Sequence, residues 1–332
     1  MALIQVDELV KVYPGGVRAV DDISFVVEEG EIFGFLGPNG AGKTTTIRVI
    51  VTLLEPTSGR VAVDGIDVVA DPEPVRRRIG YAAQFIGVDD DLTARENLVM
   101  QGRLHGLEPR EAQKRSHELL EVLQLVEVAG RRAGTFSGGM RRRLDLGQAL
   151  VHGPRVLFLD EPTTGLDPQT RRALWEYLRE LNSKGVTIFL TTQYLEEADA
   201  LATRLAIIDQ GVIAIEGTPA ALKRGLGGDA ITVTLPDDAG PDATEQAARV
   251  LERFSDTGEA ARFDRSARVF TAEAASRLAE VVRALDGASV KVARLEVSEP
   301  TLDDVFLRHT GSRMRVEESK PPSRLRMFGR GR

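Results

Sequence analysis

The chain has 332 residues, 42% hydrophobic and 28% charged, with a formal net charge of −7. That size allows a full core and about two domains, and the balance is ordinary for a soluble globular protein. With no cysteine in the chain, disulfides, thiolate catalysis and cysteine metal sites are excluded, and the acidic total argues against a chain-wide nucleic-acid surface.

The N-terminal residues Met1–Glu8 have no basic region and no sustained apolar segment, so they are not expected to be a signal peptide. No apolar stretch approaches the roughly 18 residues needed to span a bilayer. Residues 3–30 alternate apolar and polar around Pro14-Gly15-Gly16, which predicts an antiparallel region. Short buried strands are expected at Ile32–Leu36, 156–159, 186–190 and 205–209, separated in several places by helical patterns. The clearest helix is 169–183, where Leu174, Leu178 and Leu181 share a face, Asp167-Pro168 supplies the start and Gly185 follows the end. Alternation of this kind implies a mainly parallel α/β sheet. Between Leu92 and Val151 strand patterns vanish, and a helical insertion is expected, with 112–126 as one helix.

Lys223–Asp229 reads as a linker. Beyond it a strand (231–235), a helix (243–254), a strand near 268–271, a helix (275–285) and a strand (290–297) suggest a small α+β domain of ferredoxin-like character, closed by a helix at 301–309. From Gly311 to Arg332 seven Lys/Arg stand against two Glu, with paired prolines, which reads as a disordered basic tail.

The densest chemical signal is Gly37-Pro38-Asn39-Gly40-Ala41-Gly42-Lys43-Thr44-Thr45. It meets G-x-x-x-x-G-K-[ST], with a strand pattern before it and a helix pattern after, the context a phosphate-cradling loop requires. Gly37, Gly40 and Gly42 are expected to take backbone angles closed to other residues, so that successive N–H groups converge on an anion at the positive end of the new helix. Lys43 can reach terminal phosphates, and the Thr44 hydroxyl can ligate Mg²⁺.

Asp160 ends the apolar strand beginning at Val156, the end where a doubly wound sheet binds ligands, and an acid there can hold Mg²⁺ directly or through water. Glu161, one residue on, points differently and is free to act on water. Ser137, Gly138 and Gly139 precede a helical run and form another anion-binding corner, although alone they read equally well as a loop. Arg141-Arg142-Arg143 reads as helix surface and domain contact.

The phosphate loop, Ser137-Gly138-Gly139-Met140, Asp160-Glu161-Pro162 and Gly165-Leu166-Asp167 stand in the order and spacing of ATP-binding cassette (ABC) ATPases. Residues 3–220 resemble that family. The resemblance implies an α/β P-loop NTPase cassette with a mainly parallel sheet, an antiparallel β subdomain and a helical subdomain (about 88–152). The cassette is expected over 1–222, the accessory α+β domain over 229–310 and the tail over 311–332. ATP and Mg²⁺ are the implied bound species, with Gly37–Thr45 on the phosphates and Thr44, Gln84 and Asp160 about the metal. Tyr13 matches the aromatic that stacks on adenine. Gln84 matches the glutamine that touches Mg²⁺ and the attacking water and begins the segment that senses the membrane partner. Glu161, Lys43 and Gln193 are the implied catalytic residues. Ser137, Gly138, Gly139 and Asp167 belong to segments that meet a second copy, so a dimer enclosing two ATP molecules is implied.

Most cassettes carry a histidine where this chain has Gln193; His105, His117, His152 and His309 all lie elsewhere. A glutamine amide can donate to phosphate but carries no ionisable proton in this range, which shifts the water-activating role toward Glu161. Thr191-Thr192-Gln193-Tyr194-Leu195-Glu196-Glu197-Ala198-Asp199, Phe136–Asp145 and Thr301–Leu307 resemble the daunorubicin-resistance type of ABC exporter subunit. That implies ATP-driven efflux of a drug, antibiotic or hydrophobic small molecule through a separate ABC-2-type permease, at the cytoplasmic face of the membrane. An importer ATPase with a regulatory C-terminal domain, or a soluble non-transport ABC ATPase, are the alternative readings. The tail's Arg313, Arg315, Lys320, Arg324, Arg326, Arg330 and Arg332 could touch anionic lipid, where each basic residue adds about 1 kcal/mol, or stay solvated.

Overall fold

The computed structural model describes residues 2–240 and 242–311. The expectations for the basic tail therefore lie outside the described residues. The described chain forms two compact units, one up to Ile213 and one from Ala214 onward.

In the first unit the elements run Ala2–Val12 (β1), Arg18–Glu28 (β2), Ile32–Leu36 (β3), Lys43–Ile50 (α1), Ser58–Val63 (β4), Ile66–Asp67 (β5), Pro72–Arg78 (α2) and Ile79–Ala82 (β6). They continue with Ala94–Leu104 (α3), Pro109–Val122 (α4), Gly138–Leu150 (α5), Val156–Asp160 (β7), Pro168–Ser183 (α6), Thr187–Thr192 (β8), Leu195–Leu201 (α7) and Arg204–Asp209 (β9), and Val212–Gly217 (β10) begins in this unit and runs past its limit. A four-stranded sheet of order β2-β1-β4-β5 is antiparallel throughout. A six-stranded sheet of order β10-β9-β3-β8-β7-β6 is parallel wherever β9, β3, β8, β7 and β6 meet.

The central strands are buried on both faces, as parallel strands must be, and their alternation sorts side chains into two cores. Leu157, Leu159, Ile188 and Leu190 join the helical side with Leu98, Leu119, Leu120, Leu144 and Leu178. Val156, Phe158 and Phe189 face the antiparallel side with Phe25, Phe33 and Phe35. Phe189 lies at ring-centroid distances of 5.9, 5.6, 5.7 and 5.6 Å from Phe25, Phe33, Phe35 and Phe158, in the range of favourable aromatic pairs. This aromatic knot ties the two sheets together beneath the phosphate loop.

The second unit holds Pro219–Arg224 (α8), Asp229–Thr234 (β11), Ala243–Leu251 (α9), Ala261–Phe263 (β12), Ser266–Thr271 (β13), Ala274–Gly287 (α10), Arg294–Ser298 (β14) and Leu302–Thr310 (α11). From β11 to β14 this is a βαββαβ run, with sheet order β12-β13-β11-β14, the split-βαβ arrangement of ferredoxin-like folds. The unit begins ahead of the 222 limit read from the sequence, because α8 packs on α11 and Arg308 Nη1 donates to Gly225 O at 3.5 Å.

Several elements differ from the sequence reading. The helix expected at 112–126 spans Pro109–Val122, since Pro109 opens it and Gln124 takes a left-handed φ of 56° beyond its end. The strand expected at 290–297 starts at Arg294, while Val290 is buried ahead of it. The β4–β6 stretch and β10 carried no recognised strand signal; β4 opens with Ser58-Gly59-Arg60 and β5 has two residues, too short for periodicity to register.

Phe189→Ala is expected to lower the unfolding free energy by about 3–5 kcal/mol, the range for emptying a buried aromatic site. Urea denaturation checks this, and a loss under about 1 kcal/mol would mean the knot does not carry the sheet–sheet contact.

Candidate functional site

The site begins where β3 runs out. Gly37 N–H donates to Thr192 O at 3.2 Å, so the loop leaves the sheet in register with β8. Gly40 and Gly42 take φ of 81° and 107°, in the region where L side chains are strained. Gly37 does not share that conformation. Its glycine is required by crowding, because a Cβ there would fall 2.2 Å from Ile208 O. A Cβ on Gly42 would also fall 2.4 Å from Ala19 O. Gly42 then caps α1, which opens at Lys43, and leaves that helix's first N–H groups facing the loop.

Lys43 is 4% exposed. Its Nζ donates to Gly37 O at 2.7 Å and Pro38 O at 3.0 Å, and lies 3.4 Å from Glu161 Oε1. Burial lowers its pKa, opposed by the charges of Glu161 and Asp160. Thr44 Oγ1 donates to Asp160 Oδ1 at 3.1 Å, and Thr191 Oγ1 donates to the same oxygen at 2.6 Å. Glu161 carries a positive φ of 48°, an uncommon conformation for a non-glycine residue and one that clusters at functional sites. Its N–H donates to both Thr191 O and Thr191 Oγ1 at 3.1 Å, which anchors the turn. Gln84 Nε2 and Thr164 Oγ1 donate to Glu161 Oε2 at 3.2 and 3.3 Å. Four chain segments thus meet at one point: the loop, the end of β7, the end of β8 and the turn after β6. Neither Thr191 nor the strained Glu161 backbone was singled out from the sequence.

Arg142 corrects the surface reading of the arginine run. It is 3% exposed. It donates to Pro162 O (3.0 Å), Ala83 O (2.7 Å), Asp160 O (3.5 Å) and Asp145 Oδ2 (3.0 Å). Asp145 Oδ1 in turn accepts from Gly87 N–H at 2.9 Å. Burial pushes the Asp145 carboxyl up, with Arg142 holding against it. One guanidinium therefore fastens the segment around Gln84 to the segment around Glu161. The i, i+3 placement of arginine and aspartate was the available clue. Arg141 pairs instead with Asp90 at 2.6 Å, and Arg143 donates to Leu123 O at 2.9 Å.

Residues 20–164 match the ABC transporter family, and residues 217–310 match the C-terminal domain of DrrA1-3-like ATP-binding proteins. The daunorubicin resistance ATP-binding protein DrrA2 of Streptomyces coeruleorubidus is 46% identical over 92% of this chain and 94% of its own length. The chain belongs to the ABC transporter ATP-binding proteins. The linearmycin resistance ATP-binding protein LnrL of Bacillus subtilis is 39% identical over 94% of this chain and its full length. A dimeric ATP-binding cassette solved in a post-hydrolysis state with ADP and Pi aligns at 27% identity and TM-score 0.59, over 65% of this chain and 98% of that one. As an ABC cassette the chain binds ATP and is an ATPase. Cassettes of this family work as dimers with a membrane permease. No helix among the described residues is long and apolar enough to cross a membrane.

The other ABC motif residues fall in three places. Ser137 is exposed and caps α5, accepting from Met140 N–H at 3.3 Å. Asp167 caps α6, accepting from Thr170 Oγ1 at 2.6 Å, Thr170 N–H at 3.0 Å and Gln169 N–H at 3.1 Å, bonds that lower its pKa. A Cβ on Gly139 would meet Thr170 Cγ2 at 2.3 Å, so the Ser137–Gly139 corner, with Gly138 exposed at its tip, and the Asp167 turn are packed as neighbours. Ser137, Gly139, Arg142, Leu166 and Thr170 line a cavity of about 230 Å³. Half-buried Tyr13 places its hydroxyl 3.3 Å from Thr45 Oγ1. Gln193, 2% exposed, follows β8 beside the start of the loop and keeps its Oε1 without a partner.

Arg142→Ala would strand Asp145 as a buried unpaired acid. It is expected to cost about 3–5 kcal/mol of stability, read as a fall in the urea midpoint, and Arg142→Lys is expected to recover only part of it.

Proposed function

We propose that this chain is the ATP-hydrolysing subunit of an exporter that drives an antibiotic or other hydrophobic small molecule through a separate permease of the ABC-2 type. What supports export is the combination of a cassette with a DrrA-like C-terminal domain, alongside relatives named for resistance to daunorubicin and linearmycin. The importer and non-transport readings gain no comparable support. The subunit would work at the cytoplasmic face of the membrane, its basic tail touching anionic lipid there.

The single observation behind the catalytic reading is the convergence of Lys43, Thr44, Asp160 and Glu161 at the loop. The amides of Gly37–Thr45, with Pro38, Asn39 and Ala41 supplying loop backbone, would cradle the phosphates of ATP, and Lys43 would exchange its carbonyl partners for phosphate oxygens. Thr44 Oγ1 and Asp160 Oδ1 are hard oxygen donors 3.1 Å apart, a set suited to Mg²⁺, which keeps few protein ligands; Gln84 would complete it through its amide oxygen. The ion, when bound, supplies positive charge to the phosphates. Tyr13 would stack on the adenine. Glu161 would orient or deprotonate the attacking water, and Gln193 would donate its amide to the γ-phosphate. Ser137, Gly138, Gly139 and Asp167 would close over the ATP of a second copy.

Glu161→Gln is expected to leave ATP affinity within about threefold while lowering turnover by at least about a hundredfold, the scale of lost general-base catalysis. Nucleotide titration and phosphate release measure the two separately. Turnover at the parent rate would overturn the assignment of Glu161.

A further inference from the structure

Behind the phosphate site lies a closed polar cluster that takes no part in the proposed chemistry. Its centre is Glu197 on α7, fully buried. Trp175 Nε1 on α6 donates to Glu197 Oε1 at 3.1 Å. Oε2 completes no hydrogen bond, and neither does the buried Thr163 Oγ1, in the turn after Glu161. The hydroxyls of Thr163 and of Thr192, at the end of β8, face the carboxyl, and the charges of Arg171 on α6 and Arg142 on α5 act on it. Thr192 Oγ1 also accepts from Tyr194 N–H at 2.9 Å, and Arg171 lies 4.7 Å over the Tyr194 ring. The cluster therefore joins three pieces of the site: the turn that follows Glu161, the segment that carries Gln193, and the helix that Asp167 caps.

A buried carboxyl is tolerated only where donors reach it, and here the donors around Glu197 come from separate segments: the Trp175 indole and the hydroxyls of Thr163 and Thr192. Burial raises the Glu197 pKa against the pull of the hydroxyls, the indole and Arg171.

We propose that Glu197 is a positioning residue for ATP hydrolysis, whose buried carboxyl locks the Thr163 turn to the Thr192–Gln193 segment. This rests on the reading of Gln193 as a phosphate donor. Glu197 touches neither nucleotide nor water; it fixes the segments that do. Lys43 and the loop amides beyond Gly37, whose own N–H bonds to Thr192 O, stand outside the lock, so ATP binding depends on it far less than the hydrolytic step does.

The test uses the full chain, with Glu197→Gln, Glu197→Ala and Thr163→Val. Glutamine keeps the shape, one acceptor for the indole and an amide that the hydroxyls can bond, so Glu197→Gln is expected to retain parent turnover within about twofold. Glu197→Ala is expected to lower kcat about tenfold with the KM for ATP within about twofold. In hydrogen-exchange mass spectrometry it should speed exchange in residues 162–167 and 192–195 about tenfold, the equivalent of one net hydrogen bond, and leave 40–50 unchanged. Thr163→Val, which preserves shape, should act in the same direction to a smaller degree and keeps the test alive if the alanine variant does not fold. A Glu197→Gln protein as impaired as Glu197→Ala, or exchange at 162–167 unmoved in Thr163→Val and Glu197→Ala, would overturn the proposal. Parent turnover in Gln193→Ala would instead overturn the reading of Gln193, so the two failures are distinguishable.

Discussion

One ammonium group organises the first unit. Lys43 Nζ sits almost without solvent between Gly37 O, Pro38 O and the Glu161 carboxylate. A buried cation is tolerable only when its donors are all used and an anion stands near. Here the partners come from the loop that begins at the end of β3 and from the residue after β7, so the two strand ends must arrive together. The parallel register of β7, β8 and β3 makes them do so. The carbonyls that hold the ammonium are replaceable partners, and a phosphate offers stronger charge-assisted ones. The free site is therefore a set of groups already aimed at an anion.

The rest of the unit keeps that arrangement rigid. The sheet buries both faces, one against the aromatic knot around Phe189 and one against the helices. Polar groups just beyond the strand ends are then fixed by bonds that cross between segments: Thr191 to Asp160, Gln84 to Glu161, and Arg142 to Asp145 and to the carbonyls of Ala83, Asp160 and Pro162. At the end of β7 the left-handed backbone of Glu161 turns its side chain toward Lys43 and Gln84 while Asp160 faces Thr44 and Thr191.

Much of this was legible in the sequence because the loop and the strand before Asp160 are local signals. Glycines at fixed offsets, a terminal Lys-Thr and a four-residue apolar run each read within a few residues. The βαββαβ order of the second unit was partly legible for the same reason, although the three-residue β12 was too short to register. Arg142 was misread because a run of three arginines looks like a solvated face, and only tertiary packing separates the buried one from its neighbours. Gly37 was assigned the right need for the wrong cause: a sequence shows that a Cβ is missing, not whether a dihedral angle or the Ile208 carbonyl demands it. Thr191 and Glu197 stood inside the quoted Thr191–Asp199 run but were given no role there, since their importance comes from strands and helices distant in the chain.

The account stands on the buried lysine, and equilibrium binding of ATP to Lys43→Met tests it most directly. Methionine fills the same channel and keeps the loop's glycines intact, so calorimetry reports the ammonium alone. Affinity should fall by roughly a hundredfold, in keeping with the loss of a desolvated charge contact, with the fold retained by circular dichroism. Parent-like affinity in a folded variant would contradict the claim that this ammonium grips the triphosphate.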